Sequence, residues 1–316
     1  MMIFNSKVRM QIITYKANRA MSSMIYTADL TPQDPAVCTL GACEHSSDLA
    51  SHLVTAFSTR QNSTRYLSTP QGQDAVFAYL MTTRSAMALT EREMTPFESV
   101  PYRKLLNSQP FSIRVAICAP VSACVYVHRA NPLAHITLQQ LSQVFSRGNL
   151  TGDYSTWAQL DTTTTGGIHP LRLPDIAPFS VFLQQHFEQR QPGWNGEYVR
   201  DTDALIERLA ALPTAIGIAE VGREHPQIRA VPISDGQGQV YNASLKNMQS
   251  GHYPLTRYLH LYLPRNPQGE ISPPLVEFAE FVLSAEGQKL INTRTRYASL
   301  SDEMARSQSR LMAHCL

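Results

Sequence analysis

A chain of 316 residues, 43% of them hydrophobic, is long enough to bury a substantial core as one large or two small domains. Its 27 Lys and Arg against 25 Asp and Glu leave a formal charge of +2 with no basic tract, so neither a nucleic-acid nor an anionic-membrane partner is implied. The longest apolar run, Val115 to Val127, is broken by Pro120 and too short to span a bilayer; it reads as one or two buried strands.

Residues 1–30 carry basic side chains at Lys7, Arg9, Lys16 and Arg19, and Thr14, Lys16 and Asn18 interrupt any apolar stretch. No secretory core is visible there, and the segment is expected to be poorly ordered or loosely attached. Beyond it, apolar runs at Ala36–Leu40, Ser112–Ala119, Ser122–Val127, Ala215–Ala219 and Ile228–Ile233 suit strands. They alternate with helical spacing at Ser47–Arg60, Asp74–Met81, Leu138–Phe145, Phe179–Gln189 and Thr202–Leu212, and alternation of this kind predicts α/β layering. Thr162 to Gly167 reads as a surface loop.

The last third is the most patterned. Gly251 and Pro254 mark a turn, and the apolar run after Arg257 predicts a strand that stops at Pro264. Ser272 with Pro273 opens a helix whose buried face is Leu275, Phe278, Ala279, Val282 and Leu283. Ser284 to Gly287 interrupt or bend it, and Gln288–Ile291 resumes before the pattern ends near Tyr297.

Five cysteines, Cys38, Cys43, Cys118, Cys124 and Cys315, lack metal spacing and leave at least one unpaired. Cys38 with Cys43, or Cys118 with Cys124, are either disulfides or small buried hydrophobes. No nucleophile elbow, Walker loop, HExxH or paired-cysteine metal motif occurs, and the ten histidines are scattered. Hence no metal, no cofactor and no enzymatic activity are expected; the one opening for catalysis is Cys43 beside His45.

Four blocks, in order, carry a resemblance. They are Thr83-Arg84-Ser85 with Thr90-Glu91-Arg92-Glu93; Asn131-Pro132-Leu133 through Thr137-Leu138, Phe145 and Trp157; Ala215-Ile216-Gly217-Ile218; and Ser250-Gly251-His252-Tyr253-Pro254-Leu255-Thr256-Arg257 with Phe278 to Gln288. Together these resemble the phosphate-binding substrate-binding proteins of ABC transporters. The resemblance implies a two-lobed α/β fold, periplasmic binding protein-like type II, with ligand in a cleft between lobes joined by two crossover segments. Lobe one is expected at 31–115 plus 234–316 and lobe two at 116–233, with hinges near Ala119–Val121 and Val231–Ile233. A periplasmic or exported location is implied too.

Such a family holds oxyanions with helix N-termini, short hydroxyls, an arginine and a carboxylate, since helix starts supply unpaired donors and a favourable dipole end. The matching positions here are His45 and Ser46 in the first loop, Ser68 and Thr69 in the second, Thr83, Arg84 and Ser85 in the third, and Arg172 in the fourth. Arg84 is the first choice for the charged contact. In the fourth loop the family's Ser-Gly-Thr is replaced by Ala177-Pro178-Phe179, which removes two hydroxyls and one amide. The expected function is capture of phosphate or a related oxyanion for an ABC permease or a sensor. The competing reading is a degenerate relative that serves as a sensory or protein-interaction module without high-affinity phosphate binding.

Overall fold

The computed structural model describes residues 37–60, 64–73, 75–83, 85–160, 162–163, 165–174, 182–183, 186, 191–192, 196–293 and 296–313. The expectations for residues 1–30, for Arg84, for Cys315, for Ala177-Pro178-Phe179 and for most of the Phe179–Gln189 helix lie outside these.

In chain order the described elements begin with β1 (Val37–Cys43), α1 (Ser47–Ser58), β2 (Arg65–Gln71), α2 (Val76–Thr82), β3 (Ala86–Thr90), α3 (Pro96–Leu106) and β4 (Phe111–Ile117). After the turn Ala119–Val121 come β5 (Ala123–His128), β6 (Ile136–Thr137), α4 (Leu138–Phe145), β7 (Ser146–Arg147), β8 (His169–Arg172), β9 (Gln191–Pro192) and β10 (Glu197–Tyr198). Then follow α5 (Thr202–Ala211), β11 (Ala215–Glu220), β12 (Ile228–Val231), β13 (Ile233–Ser234), β14 (Val240–Tyr241) and α6 (Leu245–Gln249). The chain closes with β15 (Tyr258–Leu263), α7 (Pro273–Leu283), α8 (Ala285–Asn292) and α9 (Asp302–Ala313).

Two five-stranded sheets organise these elements: β2-β1-β3-β15-β4 and β10-β8-β11-β5-β12. In the first, β2, β1 and β3 are parallel while β15 runs antiparallel to both its neighbours. Parallel strands need cover on both faces, and β1 and β3 are accordingly apolar and buried almost throughout. Leu49, Ala50, Leu53, Val54 and Phe57 form the buried side of α1. Phe57 meets Tyr66 of β2 edge-on with ring centroids 5.0 Å apart, and Phe278 of α7 edge-on at 5.4 Å. Aromatic rings thus lock the late helix α7 onto the early elements α1 and β2.

Ser284 has extended backbone and ends α7; its hydroxyl then accepts from the Gly287 amide to cap α8. A side chain at Gly287 would run into the carbonyl oxygens of Phe281 and Val282, so the sharp break demands glycine. Gln288 is buried, donates to the Val115 and Val282 carbonyls at 3.0 and 2.9 Å, and accepts from the Leu300 amide at 2.8 Å. Helical structure resumes past the expected end of the pattern, as α9.

The family-like words are mostly packing. Asn131 is buried and bonds to the Leu133 amide and the Pro213 carbonyl, Thr137 and Gln140 form a capping box for α4, and the Trp157 indole donates to the Thr214 carbonyl. Cys38, Cys43, Cys118 and Cys124 are free and buried, so among the described residues the cysteines serve as small hydrophobes. Burial pushes the thiols of Cys38 and Cys124 up to about 11.

Pro232 splits the expected Ile228–Ile233 strand, since it has no amide to continue the ladder: β12 belongs to the second sheet, and β13 pairs with β6 and β14. Because residues 233–234 still pair with 136–137, the chain returns to the first sheet later than Val231–Ile233, through Tyr253–Arg257. There the Ala123 amide donates to the Leu255 carbonyl (3.0 Å) and the Cys118 amide to the Arg257 carbonyl (2.8 Å).

Phe278→Ala is expected to lower stability by about 3–5 kcal/mol, because the ring lies fully buried against Phe57 and Tyr66. Urea unfolding checks this as a lower midpoint at unchanged slope.

Candidate functional site

The carboxyl ends of β1, β2 and β3 lie along one edge of the first sheet, the place where open α/β sheets receive ligands. From Cys43 the chain enters a tight turn, Glu44–Ser46, and then α1. Ser46 is fully buried, and its hydroxyl lies 3.2 Å from the Cys43 and Leu89 carbonyls and 3.0 Å from the Cys43 sulfur. It joins the ends of β1 and β3, and no side chain caps the start of α1.

At the end of β3, Glu91 is 8% exposed and holds a dense network. The Arg296 Nε donates to its Oε1 at 2.7 Å and Nη2 to Oε2 at 3.1 Å, while the Tyr297 hydroxyl lies 2.8 Å from Oε1 and 3.0 Å from the His45 carbonyl. Burial alone would raise the Glu91 carboxyl. The hydrogen bonds from Arg296 and Tyr297, with the charges of Arg296 and His45, outweigh it and hold the group below the usual carboxylate range.

Beside this network sits Arg257, 6% exposed. Its Nη2 donates to the Glu91 carbonyl at 3.3 Å, its Nε is buried without a partner, and its guanidinium carbon is 5.5 Å from the centre of the Phe182 ring. Among the described residues no carboxylate pairs with it. Its backbone is fixed at the crossover, the amide donating to the Ser122 hydroxyl at 3.0 Å. The neighbouring Cys118 thiol is pushed well up by burial.

The residues expected from sequence scatter around this centre. His45 is exposed and contributes its carbonyl, and Ser46 bonds within the protein. Ser68 and Thr69 are strand rather than loop residues, because β2 extends to Gln71 in register with β1; Ser68 meets Ser51 at 2.9 Å. Thr83 and Ser85 fall at the amino end of β3, where the Ser85 carbonyl accepts from Thr39, so these two sit at the edge opposite Glu91. The cause is local: α2 continues to Thr82, and Ser85 at φ +55° turns the chain into β3 only afterwards. Arg172 ends β8, with its guanidinium 5.3 Å from the Tyr198 ring centre. Cys43 is buried on Ser46 while His45 is exposed, so the two do not form a nucleophile and base. Glu91, Arg257, Arg296 and Tyr297 were the residues missed, although Glu91 and Arg257 stand inside the family-like blocks. No three His, Cys, Asp or Glu side chains gather as a metal site among the described residues. Nor is any described helix long and apolar enough to cross a membrane.

A family model described as a PBP superfamily domain matches residues 32–286, and the chain belongs to that family. Its fold is the α/β, two-lobed periplasmic binding protein type II fold. Two strains of Pseudomonas aeruginosa carry a relative named phosphate-binding protein PstS, 23% identical over 210 residues, or 63% of this chain. The chain spans 64% of the length of those curated relatives. Among solved structures, PstS from Borrelia burgdorferi is similar with a TM-score of 0.57 and 13% identity, over 84% of this chain and 99% of that one. An ABC-type phosphate transport receptor from Vibrio cholerae is similar at 0.54 with 16% identity, over 83% and 99%.

Glu91→Gln is expected to cost about 1–3 kcal/mol at neutral pH by removing charge-assisted hydrogen bonds to Arg296. Since the folded-state pKa is depressed, the stabilisation is present above the unfolded carboxyl value and is lost as pH falls through the folded one. Unfolding midpoints of wild type and variant measured down the acid range should therefore converge.

Proposed function

We propose that this chain captures a small oxyanion, phosphate or a relative of it, between its two lobes and presents it to an ABC permease or a sensor from an exported, periplasmic-type location. Arg257 carries the reading. A guanidinium this buried, with a free Nε and no carboxylate partner among the described residues, bears a desolvation cost that an anionic ligand would offset. The start of α1, which no side chain caps, lies nearby and is linked to the same network through the His45 carbonyl. Arg172, at the end of β8, is the contribution we assign to the second lobe, and Arg84 remains a candidate contact from the sequence. Names of the relatives agree with this ligand class, and among the described residues the Cys43 thiol meets the Ser46 hydroxyl and no base. The fold gives the partner a signal to read, since closure of two lobes over a ligand changes the outer surface.

Isothermal titration with phosphate should give a dissociation constant in the micromolar range or tighter, weakened about 100-fold or more in Arg257→Gln. No binding of phosphate, sulfate or small carboxylates by the wild-type protein would sink the proposal.

A further inference from the structure

A cavity of about 860 Å³, a size suited to a small molecule, opens along β12, the last strand of the second sheet. It lies on the far side of that sheet from β8 and Arg172. Its inner wall is apolar, made by Tyr126 of β5, Ile228 and Val231 of β12, and Val221. The segment after β11 crosses over β5 to reach β12, and the Arg223 amide fastens it by donating to the Tyr126 hydroxyl at 3.1 Å. That hydroxyl in turn donates to the Glu220 carbonyl at 3.1 Å, so the wall presents no unpaired phenol.

The rim is cationic. Arg129, Arg223, Arg229 and His225 line it, and among the described residues Glu224 is the one acid beside them. Arg223 is compensated by Asp203 and Glu220, each at 3.3 Å. No described carboxylate pairs with the other two arginines: Arg129 is exposed, and Arg229 donates Nη2 to the Asn131 and Leu133 carbonyls, both at 2.6 Å. Burial lowers the Arg229 pKa, a shift that an anion beside it would oppose. His225 Nδ1 accepts from the Gln227 amide at 3.1 Å, which leaves the proton of the neutral ring on Nε2 as a donor. Strand pairing supplies a further donor. The Arg129 amide donates to the Gln227 carbonyl at 2.7 Å, so by antiparallel alternation the Ala230 amide points away from β5, at the open edge of the sheet.

We infer that this cavity is a second ligand site, separate from the cleft, for a small organic carboxylate with an apolar body. Its carboxylate meets Arg129, Arg229 and His225, and its body covers Tyr126, Ile228 and Val221. An inorganic oxyanion leaves the apolar wall in water, and a neutral apolar molecule leaves the arginines uncompensated; a ligand with both halves suits both surfaces.

Amide NMR of the full chain titrated with hexanoate tests this. The Gly222, Ala230 and Ala243 signals should shift saturably, with a dissociation constant of about 1 mM or tighter. Hexanamide, of similar shape without the charge, should bind at least about tenfold more weakly, as should hexanoate to Arg129→Gln. Ala230→Trp, at an exposed position on the cavity wall, should abolish the shifts while the amide signals of the first sheet stay in place, showing the fold retained. The inference is overturned by the absence of saturable shifts at these amides up to about 20 mM hexanoate, enough to fill a millimolar site. It is overturned equally by shifts confined to residues around Arg257, by equal affinity for hexanoate and hexanamide, or by undiminished hexanoate binding in either variant.

Discussion

The Arg257 amide donates to the Ser122 hydroxyl while its carbonyl accepts from the Cys118 amide, so a single residue sews the second crossing of the chain onto the first. The Tyr253 hydroxyl adds a bond to the Ala123 carbonyl at 2.7 Å. Every one of these donors and acceptors is buried, and leaving any unpaired would be costly, which makes the seam a fixed reference between the two sheets. The side chain that grows from it is placed as firmly as the backbone. A guanidinium therefore stands where both crossings meet, at the end of β3, without needing a carboxylate to position it.

Two buried charges share this corner and are treated differently. Glu91 is surrounded by donors and kept ionised, a satisfied pair whose partner reaches the surface. Arg257 has a backbone carbonyl and an aromatic face instead, contacts that hold a cation without cancelling it. The contrast separates a charge neutralised by its partner from one that no described carboxylate neutralises.

Much of the fold was legible in the sequence because burial writes a periodic pattern. Leu138–Phe145 has the limits its helical spacing predicts, and Thr202–Ala211 nearly matches the expected Thr202–Leu212, because each buries an apolar face. The site was less legible. Ser68 and Thr69 look like loop residues beside Pro70 and Gly72, yet β-pairing with β1 overrides that local signal. Thr83 and Ser85 are expected as ligand contacts, but only the strand direction, fixed by pairing of β3 with β1, says which end of that strand they occupy. Arg257 stands at the end of the Ser250–Arg257 block, but that no described carboxylate pairs with it is a tertiary fact. Arg296 and Tyr297 reach Glu91 across more than 200 positions, and no local spacing announces such a contact.

That separation has a consequence for the order in which the protein is made. The Ala298 amide and carbonyl both bond to Ile117, so the segment carrying Arg296 and Tyr297 is docked against β4, a strand synthesised long before it. On the ribosome, a chain that has extended only through β15 holds all five strands of the first sheet, yet Glu91 lacks its guanidinium and its phenol. The Glu91 network is accordingly one of the last parts of the molecule to be completed.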